Sequence, residues 1–422
     1  MRRSPIFYGW VILFAGTVGM VMTSPGQTYA VSILLDPMIE QLQISRTLVS
    51  TLYMAATLIG SLALPWIGRQ IDANGPRRMA LLVSAAFGLS CFFMGAVANA
   101  AMLCIGFIGI RMFGQGGLSL VSQNVINQWW VRRRGFMLGI SGLFMSLLGL
   151  GGFPLLIYAL MESFTWRQTF VIMGVLVLAV MLPVIWLLFR DRPEVYGLRP
   201  DGMAPLNASS SRQKLITEEE NWTAAEAMRT PVFWIVSAGL ASGSMLSTGL
   251  FFHIVSIFAD NGLDAGLAAA VFVPVALTTA LVNLSSGILI DRAPVRFVQS
   301  AALLLQAISL LMALTLSSAF TASLYGIVLG ATSGLQRTVA GVVWANYFGR
   351  LLLGAIAGVS TTILVAGSAL GPLPFGIVHD LVGSYRPVLL GLAIVPLALA
   401  VVTLFFDKPR KPTRHQPVNR ES

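Results

Sequence analysis

Two arginines stand inside long apolar runs of this chain: Arg111, followed by Met-Phe-Gly114-Gln115-Gly116, and Arg337, preceded by Gly334-Leu-Gln336. A guanidinium stays charged at any ordinary pH, so one placed there must meet an anion, a wet cavity or a set of carbonyls. It can hold a carboxylate through two parallel hydrogen bonds. Tyr29, His253, Gln27, Gln115, Asn124 and Asn283 are further polar groups within such runs. The acids are elsewhere: Asp36, Glu40, Glu162, Asp260, Asp264 and Asp380 gather near run ends. A proton relay through a buried carboxylate is therefore not legible, and His253 is the remaining titratable candidate. His253, His379 and His415 lack metal-ligand spacing, and neither a nucleophile–base set nor a phosphate loop occurs. No metal, cofactor or enzymatic reaction is expected.

The elements that position these groups follow from composition. Of the 422 residues, 56% are hydrophobic and only 10% charged. Soluble domains are far more charged, and disordered chains far less apolar. The apolar residues fall in runs long enough to cross a bilayer core of roughly 30 Å. We read twelve transmembrane helices, about 8–34, 46–67, 79–98, 101–128, 135–160 and 168–189, then 231–258, 265–290, 296–316, 319–345, 353–378 and 386–406. Backbone groups in lipid must pair within the segment, and nothing here alternates like a barrel strand. The first run is too long for a signal peptide. Cys91 and Cys104 lie inside runs and read as small core residues, not as a disulfide framework. Arg111 lies about ten residues into the fourth run, near mid-membrane at roughly 1.5 Å per residue. Arg337 sits deeper in the tenth, within reach of the cytoplasmic interface by snorkelling.

Basic residues orient the chain. With the N-terminus inside, only Arg46, Arg167 and Arg386 fall in outside segments, and Arg111 and Arg337 lie within spans. All other Lys and Arg are on the inside, so both termini are expected in the cytoplasm of a multi-pass inner-membrane protein. The net charge of +10 then reflects this loop bias and not a nucleic-acid partner.

The second half repeats the first in the same orientation. Tyr29-Ala-Val-Ser-Ile33 with Asp36 matches His253-Ile-Val-Ser-Ile257 with Asp260. Gly68 and Asp72 match Gly287 and Asp291, Gly135 and Gly139 match Gly354 and Gly358, and Trp166-Arg167 matches Tyr385-Arg386. The fold class is thus all-α integral membrane, with two six-helix pseudo-repeats around a central cavity. The expected domains are an N-terminal bundle over 1–190, a polar cytoplasmic linker over 191–230, a C-terminal bundle over 231–407 and a basic tail over 408–422. Ser24-Pro25-Gly26 and Thr248-Gly249 coincide in the repeat, and both should loosen their helices.

Gly68-Arg-Gln-Ile-Asp72-Ala-Asn-Gly75-Pro-Arg77-Arg78 joins the second span to the third, and Gly287-Ile-Leu-Ile-Asp291-Arg292 echoes it. This resembles the loop signature of the major facilitator superfamily, and with the repeat the resemblance covers nearly the whole chain. It implies a conformational latch made by Gly68, Asp72, Arg77, Arg78, Gly287, Asp291 and Arg292. Tyr8-Gly-Trp10, Trp130-Val-Arg132-Arg-Arg-Gly135, Trp166-Arg167 and Arg192-Pro-Glu-Val-Tyr-Gly197 are similar to the monocarboxylate porter and oxalate/formate antiporter-like branch. The arginine that this branch places in span eight is replaced by Asn283, which implies a solute larger or less charged than a simple monocarboxylate.

The expected function is secondary active or facilitative transport of a small organic solute, an anion, by alternating access. Its expected partners are that solute and the lipid bilayer, and a monomer suffices. The expected substrate-binding residues are Arg111, Tyr29, His253, Asn283, Arg337, Gln27, Gln115 and Asn124. For Arg111 the alternative is a structural tie to loop or helix-end carbonyls. A multidrug or metabolite exporter of the same superfamily would want an intramembrane carboxylate for cationic drugs. A non-transporting receptor would want a large extramembranous domain, and an integral membrane enzyme a reactive cluster.

Overall fold

In the computed structural model, residues 7–130, 133–202, 222–292, 294–348 and 353–409 are described. Side-chain surroundings are described for all of these except 69, 72, 134, 135, 202, 284, 286–292, 342, 345, 353–355, 357 and 358. Asp72, Gly287, Asp291 and Arg292 of the expected latch therefore lie outside the described surroundings, as do most of the linker and of the basic tail.

Among the described residues, eleven helical segments are long and apolar enough to cross a membrane. They are Gly9–Leu42, Arg46–Gly68, Pro76–Gly95, Ala100–Trp129, Phe136–Met161, Trp166–Leu188, Pro231–Phe252, Ala265–Asn283, Val295–Met312, Val359–Val382 and Arg386–Leu404. The twelfth span is the 30-residue helix Ala319–Phe348. It is long enough, but Thr332, Ser333, Gln336, Arg337 and Thr338 make it the more polar one. The fold is the all-helical twelve-span arrangement that the hydropathy implies.

Local chemistry sets the boundaries. Asn99 and Thr165 accept the Met102 and Gln168 amides at their helix starts, the N-cap arrangement that satisfies an orphan donor. Gly75 turns the chain between spans two and three at φ +82°, a region open to glycine at little cost. The first span is fractured at Ser24-Pro25-Gly26, where a single 3-10 turn separates Gly9–Val21 from Thr28–Leu42. Proline has no amide to donate there, and the Thr23 and Ser24 hydroxyls bond the Met20 and Val21 carbonyls. In the other half the break falls at His253, between Pro231–Phe252 and Ile254–Asp260, and not at Thr248-Gly249. Thr248 and Gly249 stay helical because no proline follows them.

The fourth and fifth spans carry π-helical turns over Ile110–Leu118 and Met145–Gly152. Such turns widen a helix and recur at functional sites. Spans within each half pack on one another, and the halves meet where span one packs on seven, two on eleven and five on eight.

Candidate solute cavity

A cavity of about 640 Å³ lies between the halves. Its wall takes Gln27, Thr28 and Tyr29 from span one, Thr57 and Ser61 from span two, and Arg111, Gln115, Ser119 and Gln123 from span four. The second half adds Ser244 and Thr248 from span seven, Ser333 and Arg337 from span ten, and Thr361 and Ser368 from span eleven. On spans two, four, seven and ten these residues recur at i and i+4, which puts them on one face. Arg111–Gln115–Ser119–Gln123 is one such stripe, and Thr57–Ser61, Ser244–Thr248 and Ser333–Arg337 are others. That periodicity was available in the sequence and marks Thr57, Ser119, Gln123 and Ser244, which the search for isolated polar groups passed over. Among the described residues no Asp or Glu belongs to the lining.

The two intramembrane arginines differ sharply. Arg111 is only 3% exposed. Its Nε donates to Thr57 Oγ1 at 3.0 Å and its Nη1 to the Gly26 carbonyl at 3.2 Å. Its guanidinium lies 4.8 Å from the centroid of the Tyr53 ring. The proline fracture frees carbonyls, and Arg111 takes one of them. Gly26 is needed at this crossing because a Cβ there would collide with the Ile110 carbonyl. The geometry is that of the structural tie. Arg337 is exposed although it lies deep in the protein, because the cavity reaches it. Among the described residues it has no hydrogen bond or ion pair.

The other expected site residues divide in the same way. Gln27, Tyr29 and Gln115 line the cavity. Tyr29 is nearly buried and its hydroxyl bonds Ser24 at 3.0 Å. Asn124 is not in the lining, for its carboxamide oxygen accepts from Gln128 Nε2 at 2.7 Å. Asn283 is half-buried, off the lining and engaged elsewhere. His253 is also off the lining and fully buried. The fracture after Phe252 turns its ring toward the far end of the interface, so the matched repeat positions 29 and 253 do not face one solute.

At that far end His253 joins the halves. Its Nε2 bonds the Pro372 carbonyl at 3.0 Å and approaches Ser50 Oγ at 3.4 Å, and its Nδ1 pairs with the Tyr385 hydroxyl at 3.0 Å. A carbonyl can only accept, so Nε2 carries a proton and donates to Pro372. Beside it Arg46 Nη1 contacts Asp36 Oδ1 at 2.7 Å and Ser256 Oγ at 2.6 Å. The Thr47 amide donates to Asp380 at 2.7 Å and the Tyr385 amide to Asp260 at 3.0 Å. Tyr53 and Phe252 pack below with tilted rings whose centroids lie 4.5 Å apart. These contacts close the end of the interface remote from the termini. The cavity lining instead extends to Leu64, Leu120 and Gln123, nearer the face that carries the termini.

On that face Tyr8-Gly-Trp10 and Trp129-Trp130 form an aromatic clasp. Trp130 Nε1 donates to the Gly9 carbonyl at 3.0 Å, Trp129 Nε1 to the Asp191 carbonyl at 2.8 Å, and the Tyr8 hydroxyl to the Leu188 carbonyl at 3.0 Å. Burial holds the Tyr8 phenol above its usual range. The Arg77 amide donates to Asp191 Oδ1 at 3.2 Å and its guanidinium to the Trp186 carbonyl at 2.7 Å. The described part of the span two–three loop is thus anchored within its own half, with Gly68 half-buried and Arg78 exposed.

Twelve spans thus enclose a polar cavity that is sealed at one end. The chain belongs to the Major Facilitator Superfamily, whose sequence model matches residues 16–297 and 254–422. It is similar to the oxalate:formate antiporter of Oxalobacter formigenes, 23% identical over 268 residues, which is 62% of this chain and 57% of that one. It is also similar to a probable L-galactonate transporter of Escherichia coli K12, 30% identical over 173 residues, 40% of this chain and 37% of that one. The matches thus span about half the length of these curated relatives or less. Among solved structures it resembles a bacterial homologue of the human lysosomal transporter Spinster. The unoccupied inward-facing form aligns at TM-score 0.62 and the occupied one at 0.63. Each has 18% identity and covers 95% of this chain and 96% of that one.

Proposed function

We propose that the chain carries a small organic anion across the inner membrane by alternating access, as a secondary active or facilitative transporter, with both termini cytoplasmic and a monomer as the working unit. One observation carries this reading: Arg337 is an exposed cation in a cavity between the halves whose lining, among the described residues, holds no acid. A cation in that setting has an anion as its natural partner. Arg111 adds positive potential without offering its committed donors. The named relatives support the reading, since oxalate, formate and galactonate are all organic anions. A drug exporter selecting cations would need a carboxylate, and the described lining has none. The basic-residue asymmetry supports the orientation. In it the cavity faces the cytoplasm, the Arg46–Asp36 end faces outward, and Asp72, with Gly68, Arg77 and Arg78, acts as the cytoplasmic latch for the opposite state.

The test is exchange in proteoliposomes loaded with a carboxylate, a neutral polyol or an organic cation. Only the carboxylate should exchange, and Arg337→Gln should abolish it. Selective exchange of the cation, or full anion exchange by Arg337→Gln, would sink the reading. Labelling tests the orientation: a membrane-impermeant reagent should reach a cysteine at Gly383 in intact cells and miss one at Arg229.

A further inference from the structure

We infer that the solute is a polyhydroxylated monocarboxylate, a sugar acid in chemical class, and not a hydrocarbon acid or a dicarboxylate. The inference rests on the anion reading above and narrows it.

The polar lining carries it. Gln115, Ser119 and Gln123 on span four, Ser146 on span five and Ser244 on span seven all line the cavity. Among the described residues none of these five makes a side-chain hydrogen bond. Gln27 spends its amide nitrogen on Thr23 Oγ1 at 3.1 Å and keeps its carbonyl oxygen. Ser61 and Ser333 donate to carbonyls of their own helices and keep their lone pairs. Donors and acceptors are therefore spread over both halves of the wall and not gathered at one anchor.

Each such group must stay wet or find a partner, since leaving it dry costs free energy comparable to a lost hydrogen bond. A hydrocarbon tail displaces water and returns nothing to these groups. A chain of carbinol carbons returns a hydroxyl at nearly every position, and each hydroxyl both donates and accepts as Ser and Gln require. The volume of about 640 Å³ leaves room for a six-carbon solute with bridging water.

Charge sets the number of carboxylates. Arg111 has its Nε and Nη1 committed and its face on Tyr53. Among the described residues lining the cavity, Arg337 alone presents a guanidinium with no committed donor, which balances one carboxylate. A second would have only Arg111 to face, whose Nε and Nη1 are already engaged.

Binding of four six-carbon probes to the purified full-length protein tests this. The probes are gluconate, hexanoate, adipate and sorbitol, measured by calorimetry. Gluconate should bind roughly 10- to 100-fold more tightly than hexanoate, the discrimination expected from two or three hydrogen bonds that the analogue lacks. Adipate should bind no better than hexanoate, and sorbitol more weakly than either acid. Gln115→Leu and Ser244→Ala should each bring the gluconate-to-hexanoate ratio toward one. Equal or reversed affinity for gluconate and hexanoate overturns the hydroxyl inference and leaves the anion reading standing. Preference for adipate overturns the single-carboxylate count alone. Sorbitol binding as tightly as gluconate overturns the anion reading and this inference with it. Silence from all four probes overturns the sugar-acid class.

Discussion

The interface between the two halves has an end that is satisfied and a middle that is not. At the end remote from the termini, Arg46 has Asp36 and Ser256, His253 has Pro372 and Tyr385, and the Thr47 amide has Asp380. Nearly every pair there spans the two halves or braces a residue that does. In the cavity, Arg337 and five polar side chains lining the wall are without protein partners among the described residues. The difference separates polarity that holds a conformation from polarity that awaits a solute. A charge with its counter-charge already in place has little to offer a ligand. A charge left open in a low-dielectric setting has much to gain from one.

The comparison breaks most visibly at Arg337. Arg337→Gln removes the open cation of the described lining, and with it two charge-assisted hydrogen bonds. Carboxylate binding should weaken by roughly 100-fold while the protein's melting temperature stays near its parent value. A large loss of stability with unchanged binding would place Arg337 with the committed groups instead.

Asp36→Asn attacks the satisfied end. It leaves Arg46 without its carboxylate and should shift the balance toward the state open at that end, by roughly 5- to 150-fold if one ordinary coupling energy is lost. Spin labels at Gln43 and Gly383, both exposed beside that end, should report a longer distance distribution in the variant. An unchanged distribution would show that the pair does not bias the closure.

Arg111 sharpens the contrast between the arginines. Arg111→Lys keeps a cation but cannot reach Thr57 and the Gly26 carbonyl in the same geometry. Thermal unfolding should show a loss of about 2–3 kcal/mol, the worth of a hydrogen bond to a charged group. Solute affinity should fall far less than for Arg337→Gln. Should the affinity loss be the larger of the two, Arg111 is the anchor after all. The smallest effect is expected from His253→Gln, whose carboxamide can still donate to the Pro372 carbonyl. Closure should loosen slightly in the spin-label distances, with solute affinity unchanged. A tenfold change in affinity would bring His253 into the cavity site.

Much of this was legible in the residue order. Span number followed from runs of apolar residues, because transfer into hydrocarbon is a property of each residue and its immediate neighbours. The fracture at Ser24-Pro25-Gly26 followed from proline's missing amide. The Thr248-Gly249 counterpart failed for the same reason: glycine permits a break but does not force one, and the chain bent at His253 instead. Tyr29 and His253 show the limit of reading a repeat. They share a register, yet a few residues of difference in where each helix breaks put one in the cavity wall and the other in the closed end.

What the sequence by itself determined was the membrane class, the twelve spans, the internal repeat and the polar stripes at i, i+4 spacing. All of these depend on residues close together in the chain. Which arginine is open was decided only by tertiary structure. Arg111 and Arg337 are alike in type and in lying within transmembrane helices. They differ in what the neighbouring helix presents at the same height: a fractured turn with a spare carbonyl and a threonine for Arg111, the cavity for Arg337. Hydrogen bonding reaches across about 3 Å of space and tens of residues of chain, and that partnership is written in the packing of the helices rather than in the order of the residues.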